Sequence, residues 1–213
     1  MTFENTLEFA KKLDSQDQLH KYQDQFIFPQ VNGKKVIYFT GNSLGLQPKR
    51  SKEYVDEVMN DWANLAVEGH FYSEKPWWDY HERFANPLSK IVGALPTEVT
   101  VMNTLTVNLH LLMVSFYRPT KTRYKIICEE KAFPSDQYMF QSQVHFHGYK
   151  PEDAIVEIKR RNGEHNIRLE DVAAKIEEVG EELALVLIGG VNYYTGQVFD
   201  MKTITAAGHK AGA

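Results

Sequence analysis

Residues 102–113 read M-N-T-L-T-V-N-L-H-L-L-M, and this stretch decides the prediction of the fold. Small polar residues run directly into an apolar helical pattern, in which four residues are expected to share one buried face: Leu105, Leu109, Leu112 and Met113. Asn103, Thr104 and Thr106 lie where a helix takes its N-cap. The first turn has no acidic side chain, so its free N–H groups, the Thr106 hydroxyl and the helix dipole predict a seat for an anion such as phosphate. The alternative is an ordinary capped core helix that binds no ligand.

Strands and helices alternate along the chain after residue 95. Apolar runs predict three buried strands, at 124–128, 154–158 and 183–188. Helical patterns follow these strands, one ending near residue 147 and the others covering 169–179 and 201–210. This order predicts βαβ units, and therefore an α/β fold whose mainly parallel sheet is flanked by helices. Earlier elements are predicted as a strand at 36–39, a helix at 48–66 and a helix from 75 to 92.

The composition of the chain bounds its class and its partners. It has 213 residues, of which 43% are hydrophobic and 24% charged, with a net charge of −4. The mixed charges give no reason to expect nucleic acid or an anionic membrane as partner. Cys128 is the single cysteine, which excludes an internal disulfide and favours a reducing compartment. Neither a secretory leader pattern nor an apolar run of membrane-spanning length is seen, so we expect a soluble cytoplasmic protein.

Three loops are expected to meet at the carboxyl edge of the predicted sheet, where open α/β folds bind their ligands. They are the 102–106 anion seat, the 132–136 loop A-F-P-S-D and the glycine-rich 189–196 loop. Together they offer an anion seat, an aromatic side chain able to stack, a carboxylate and closely approaching backbone. This combination suits a flat phosphorylated heterocycle, and pyridoxal phosphate is the best match.

Each of these residues also has a purely structural interpretation. Phe133 precedes a proline and would then be a packing residue. Ser135 and Asp136 would cap the following helix. Gly189 and Gly190 would form an ordinary turn.

Some reactive side chains are expected not to take part in chemistry. His145 and His147 stand two residues apart, but no third ligand of matching context accompanies them, so no metal site is expected. His110 lies inside the apolar helix and is expected to be a hydrogen-bonded histidine of the core or of an interface. Lys131 follows two glutamates, which are expected to keep its amine charged and solvated rather than nucleophilic.

Five runs carry a resemblance to a known family: 38–48 (YFTGNSLGLQP), 102–113, 123–127 (RYKII), 131–136 (KAFPSD) and 194–197 (YTGQ). They are spread along the chain in family order and near family spacing. The chain resembles the N-terminal portion of the kynureninases, which are pyridoxal-phosphate-dependent hydrolases of the aspartate aminotransferase fold.

The two glycines of the 40–45 loop are expected to permit positive φ and close backbone approach.

The resemblance implies roles for individual residues. Leu105, through its backbone, and Thr106 match the residues that hold the cofactor phosphate. Phe133 matches the aromatic side chain that lies against the pyridine ring, and three residues complete that cofactor loop: Pro134, Ser135 and Asp136. Ser43 and His70 match residues that line the substrate side. Gly189 matches a cofactor-contacting position where the family often has serine, so the hydroxyl contact expected there is missing.

The resemblance also implies an activity for the whole protein. It would hydrolyse the Cβ–Cγ bond of L-kynurenine or 3-hydroxykynurenine to an anthranilate and L-alanine, in tryptophan catabolism, as a homodimer. The family's cofactor-binding lysine lies beyond the equivalent of Ala213, so we expect no catalytic residue within this chain and no activity of the chain alone.

The resemblance divides the chain into two parts. Residues 1–50 would form an N-terminal helical arm with the substrate-side loop, and 51–213 an incomplete pyridoxal-phosphate-binding large domain, truncated at its C-terminal side. Two alternatives stay open. One is a related enzyme of the same cofactor and fold, such as a cysteine desulfurase or an aminotransferase. The other is a non-catalytic folded fragment that acts only in binding or assembly.

Overall fold

The computed structural model describes residues 2–213, and the chain divides into two compact units, the first ending at Thr100 and the second covering Val101–Ala213. Each unit is described by itself. The predicted functional boundary at residue 50 stays a prediction. Within residues 2–213, no helix is long and apolar enough to cross a membrane.

The first unit consists of helices and short pairs of antiparallel strands. Its helices are α1 (Leu7–Gln16), α2 (Ser51–Leu65), α3 (Gly69–Tyr72) and α4 (Ala85–Val92). Its strands form two pairs, β1 (Phe26–Ile27) with β4 (Gln47–Pro48) and β2 (Gln30–Val31) with β3 (Lys34–Lys35). The helix α4 ends at Gly93, whose φ of 71° suits a glycine at a helix C-terminus, as its position in the sequence indicates.

Three predictions for the first unit are wrong in detail. Residues 36–39, which the structure describes, do not form a strand, because a tight Asn32-Gly33 turn with φ of 51° and 71° pairs the chain earlier, at β2 and β3. The helix predicted over 75–92 is shorter, since α4 is preceded by a 3₁₀ segment, Tyr80–Phe84. The helix predicted at 48–66 begins at Ser51, because Pro48 belongs to β4.

The second unit has the predicted alternation of strands and helices. Its helices are α5 (Leu105–Phe116), α6 (Pro134–Phe146), α7 (Pro151–Ala154), α8 (Leu169–Val179) and α9 (Met201–Ala211). Its strands are β5 (Lys125–Glu129), β6 (Ile155–Ile158) and β7 (Leu183–Val186). They form one sheet in the order β6-β5-β7, and both pairings are parallel. The prediction of an α/β fold with a parallel sheet is therefore confirmed.

Hydrophobic cores cover both faces of this sheet. Because side chains alternate along a strand, Ile126 and Cys128 of β5 join one core and Ile127 joins the other. The first core contains side chains of α5 and α6, and the second contains side chains of α8 and α9. The central strand is thus covered on both sides, as its continuous apolar sequence indicates.

The predicted buried face of α5 is partly wrong. Met113 is buried and Leu109 packs against the same core, but Leu105 and Leu112 are 65% and 52% exposed. The reason is that α5 is apolar nearly all round, so apolar spacing does not single out one face.

Candidate functional site

The N-terminus of α5 presents free hydrogen-bond donors. The first backbone bond of the helix runs from the Asn108 N–H to the Thr104 carbonyl at 3.0 Å, so the N–H groups before Asn108 have no acceptor within the helix. The predicted side-chain cap is wrong, since the Thr104 side chain makes no capping bond with any described residue. Leu105 and Thr106 are both exposed, and no acid occupies the first turn. This donor set suits an anion.

Helices α5 and α6 run in the same direction. The Gln143 amide donates to His110 Nδ1 at 3.0 Å, and further along both helices the rings of Tyr117 and His147 meet at 5.4 Å. His110 is thus a hydrogen-bonded histidine, as predicted. Because α6 follows β5 directly, both helices begin on the side where the parallel strands end.

The loop between β5 and α6 presents the predicted aromatic ring and carboxyl group. Phe133 occupies the N-cap position of α6, Pro134 begins the helix, and the Phe133 ring is 47% exposed. The Ser135 hydroxyl donates to Asp136 Oδ1 at 3.2 Å, so these two residues lie inside the first turn rather than capping it. Burial raises the pKa of the half-buried Asp136 carboxyl above its usual range.

The 189–196 loop meets this segment directly. The Tyr193 ring contacts the Phe133 ring edge-on, with centroids 5.1 Å apart. The loop owes its shape to Asn192, whose Oδ1 accepts the N–H groups of Tyr194 and Thr195, each at 3.0 Å, and the Thr195 hydroxyl at 3.2 Å. The structure therefore brings together the second and third of the predicted loops.

Sequence reasoning missed Glu129, the last residue of β5. Its side chain is only 5% exposed, and its Oε2 accepts the Gly189 N–H at 3.0 Å. Its neighbour Glu130 pairs with Arg160 at 3.3 Å. Lys131, which follows them, is exposed, and the expectation that its amine is not nucleophilic stays a prediction. The signal available in the sequence was a carboxylate at the end of a strand that is otherwise buried.

A cavity of about 460 Å³ opens beside the third loop. Its walls include Lys131, Arg160 and His165 together with Tyr193 and Tyr194. Phe133 and Asp136 lie outside this lining, so the candidate cofactor residues form an open surface next to the cavity.

The predicted substrate-side residues lie in the first unit. Ser43 is exposed in the 40–44 turn, which the Ser43 N–H closes by donating to the Thr40 carbonyl at 2.9 Å. Neither Gly41 nor Gly45 is among the described glycines with positive φ, so the positive φ that these glycines permit is not adopted in this loop.

His70 lies on α3 and is exposed. Its ring meets the Trp77 ring edge-on at 5.3 Å. Trp77 also lies against Gly69, where an added Cβ would be 2.7 Å from the indole, so glycine is required there. The Trp77 ring therefore contacts both Gly69 and His70 of α3.

In the described part of the chain, no group of three or more histidine, cysteine, aspartate or glutamate residues could hold a metal ion. His145 lies in the last turn of α6 and His147 is its C-cap residue. The two imidazoles therefore lie on a helix end rather than on a strand.

Comparisons with known proteins give a consistent relationship. No protein-family model matches the chain. Curated kynureninases match it over its whole length or nearly so, at 86% identity in Flavobacterium johnsoniae, 54% in Myxococcus xanthus and 50% in Nematostella vectensis. The chain spans 50%, 50% and 47% of these relatives, that is, about half of their length. The resemblance found in the sequence motifs is therefore confirmed.

A solved structure supports the fold. The apo structure of a cysteine desulfurase from Thermococcus onnurineus NA1 matches with a TM-score of 0.60 and 22% sequence identity, covering 84% of this chain and 42% of that one. At this identity the match shows that the architecture is shared.

Proposed function

We propose that the full-length protein carrying this kynureninase-related sequence is a pyridoxal-phosphate-dependent kynureninase. It hydrolyses the Cβ–Cγ bond of L-kynurenine or 3-hydroxykynurenine to an anthranilate and L-alanine. The observation that carries the proposal is the sequence identity of 86% to a kynureninase over all 213 residues. The free donors of α5 and the exposed Phe133 ring add support, because a phosphorylated aromatic cofactor needs both.

The residues present fit this cofactor. The Leu105 N–H and the Thr106 hydroxyl would bind the phosphate, in a first turn without acidic side chains. The half-exposed Phe133 ring would lie against the pyridine ring, within the loop that Pro134 and Ser135 complete. When bound, pyridoxal phosphate supplies an electron sink for the breaking of bonds at an amino-acid substrate.

Asp136 and Gly189 would border the polar edge of the ring. The Asp136 carboxyl can accept hydrogen bonds at that edge, and its burial raises its pKa above the usual range. The N–H of Gly189 already binds Glu129, so Gly189 would contribute close approach of the backbone rather than a donor.

The remaining roles concern the substrate and the assembly. Ser43 and His70 would contact a small-molecule substrate of the kynurenine type. The lysine that binds the cofactor is proposed to lie outside residues 1–213, and the enzyme is proposed to act in the cytoplasm as a homodimer. It would serve tryptophan catabolism and need neither nucleic acid nor membrane.

The test is a comparison of activities in the purified full-length protein. Anthranilate release from L-kynurenine, and hydroxyanthranilate release from 3-hydroxykynurenine, are followed by fluorescence with and without added pyridoxal phosphate. Sulfide release from L-cysteine and amino transfer to a 2-oxo acid are measured in parallel. The proposal predicts cofactor-dependent release of an anthranilate. Sulfide release or amino transfer without anthranilate would contradict it and favour a desulfurase or an aminotransferase.

A further inference from the structure

The end of the central strand carries a buried carboxyl group to which neither the sequence motifs nor the proposed activity assigns a role. Glu129 is 5% exposed at the carboxyl end of β5, the edge at which the candidate cofactor residues lie. Burying a carboxylate is costly unless hydrogen-bond donors compensate it. The groups around Glu129 therefore indicate what holds it there.

Two donors face the Glu129 carboxyl group. The Gly189 N–H donates to its Oε2 at 3.0 Å. Burial and the nearby Asp136 raise the pKa of this carboxyl, whereas the Gly189 N–H and the nearby Asn192 side chain lower it. Burial is the largest of these effects, so the net direction is upward.

The orientation of the Asn192 amide follows from its other partners. Its Oδ1 accepts three donors, from the backbone of Tyr194 and Thr195 and from the Thr195 hydroxyl. The Nδ2 group is therefore the part of the amide that faces Glu129. A carboxylate offers acceptors to both Gly189 and Asn192. A glutamine in place of Glu129 would offer one acceptor and would turn its own NH₂ toward the Asn192 NH₂.

These contacts connect Glu129 to the candidate cofactor residues. The Glu129 carboxyl group binds the Gly189 end of the 189–192 loop segment, and the Asn192 end of that segment lies near the same group. The next residue, Tyr193, packs its ring against Phe133. Phe133 is the side chain proposed to lie against the cofactor ring. A change in the loop would thus move the ring that supports Phe133.

We propose that Glu129 is a positioning residue of the cofactor site, which holds Gly189 and Asn192 so that Tyr193 supports Phe133. This inference rests on the proposed function, because it assumes that Phe133 contacts pyridoxal phosphate. Glu129 itself need not touch the cofactor. Its effect is transmitted through the 189–193 segment.

An exchange of the two polar groups tests the inference in the full-length protein. Glu129→Gln removes one acceptor, and Asn192→Asp places a second carboxylate beside the first. The double variant restores a matched pair, because the introduced amide then donates to the introduced carboxylate and still accepts from the Gly189 N–H. Dissociation constants for pyridoxal phosphate are measured by fluorescence titration of the apo-protein, and unfolding in urea is measured on the same samples. Glu130→Gln is the matched control, since Glu130 pairs with Arg160 instead.

We expect each single variant to weaken pyridoxal phosphate binding about tenfold or more, and the double variant to return to within about threefold of the wild type. The control should stay at the wild-type value. Single variants that bind the cofactor like the wild type would overturn the inference, as would a double variant no tighter than either single one. If a single variant does not fold, the double variant decides: near wild-type affinity supports the inference, and weak binding or misfolding overturns it. A wild-type protein that does not bind pyridoxal phosphate would instead refute the proposed function.

Discussion

Phe133 and Phe140 provide a matched pair for separating cofactor binding from stability. Both lie at or in α6, but the Phe133 ring is 47% exposed and the Phe140 ring is 1% exposed. Truncating a fully buried phenylalanine to alanine costs about 3–5 kcal/mol, which we expect for Phe140→Ala. Phe133→Ala leaves no closed cavity and loses one edge-on contact with Tyr193, so we expect a loss of about 1–2 kcal/mol.

For cofactor binding we expect the opposite order, with the larger loss in Phe133→Ala. Stacking of an aromatic side chain on a heterocycle is worth about 1–3 kcal/mol, so Phe133→Ala should weaken pyridoxal phosphate binding about 10- to 100-fold. A folded Phe140→Ala variant should bind the cofactor with an affinity close to that of the wild type. Urea unfolding of the apo-protein and fluorescence titration with pyridoxal phosphate measure the two quantities in the full-length protein. A folded Phe133→Ala variant with wild-type cofactor affinity would refute the assignment of Phe133 to the cofactor ring.

Three further predictions follow from single residues. Thr106→Val should weaken pyridoxal phosphate binding about tenfold, the value of one hydrogen bond to a charged group, whereas Thr106→Ser should retain it; equal loss in both variants would contradict a role of the hydroxyl. Gly189→Ser should fold normally, because an added Cβ would lie 3.5 Å from Glu129 Oε1 and from the Val191 carbonyl, which is an ordinary contact distance. Its hydroxyl should tighten cofactor binding in the same titration, and a loss of folding would contradict this fit. Cys128 should react with a thiol reagent at pH 8 only after unfolding, since burial raises its pKa to about 12 and leaves it 1% exposed; rapid labelling of the native protein would contradict its burial.

The second unit is the part of the fold that the sequence predicts well. The helix 169–179 has the predicted bounds, and the strand predicted at 183–188 is observed at Leu183–Val186. Both have strong periodic or continuous apolar patterns with clear ends. The α5 helix is also where it was predicted, but its buried face is not, because apolar residues surround it and only the position of its neighbours selects Leu109 and Met113.

The candidate site could likewise be predicted only in part from the sequence. The anion seat at α5 and the exposed Phe133 could be inferred from local patterns and family motifs. The role of Glu129 could not, because its partner Gly189 is 60 residues away in the sequence and the two meet only through the parallel pairing of β5 and β7. Glu129 and Glu130 are adjacent and chemically alike, yet the alternation of the strand turns one inward to Gly189 and leaves the other to pair with Arg160.

The most direct test is a crystal structure of the full-length protein grown with pyridoxal phosphate. Electron density for the phosphate should lie on the Leu105 N–H and the Thr106 hydroxyl, with the pyridine ring against Phe133 and the Asp136 carboxyl at its polar edge. Cofactor density at another place, with protein atoms filling the start of α5 and Phe133 packed away from it, would contradict the proposed site.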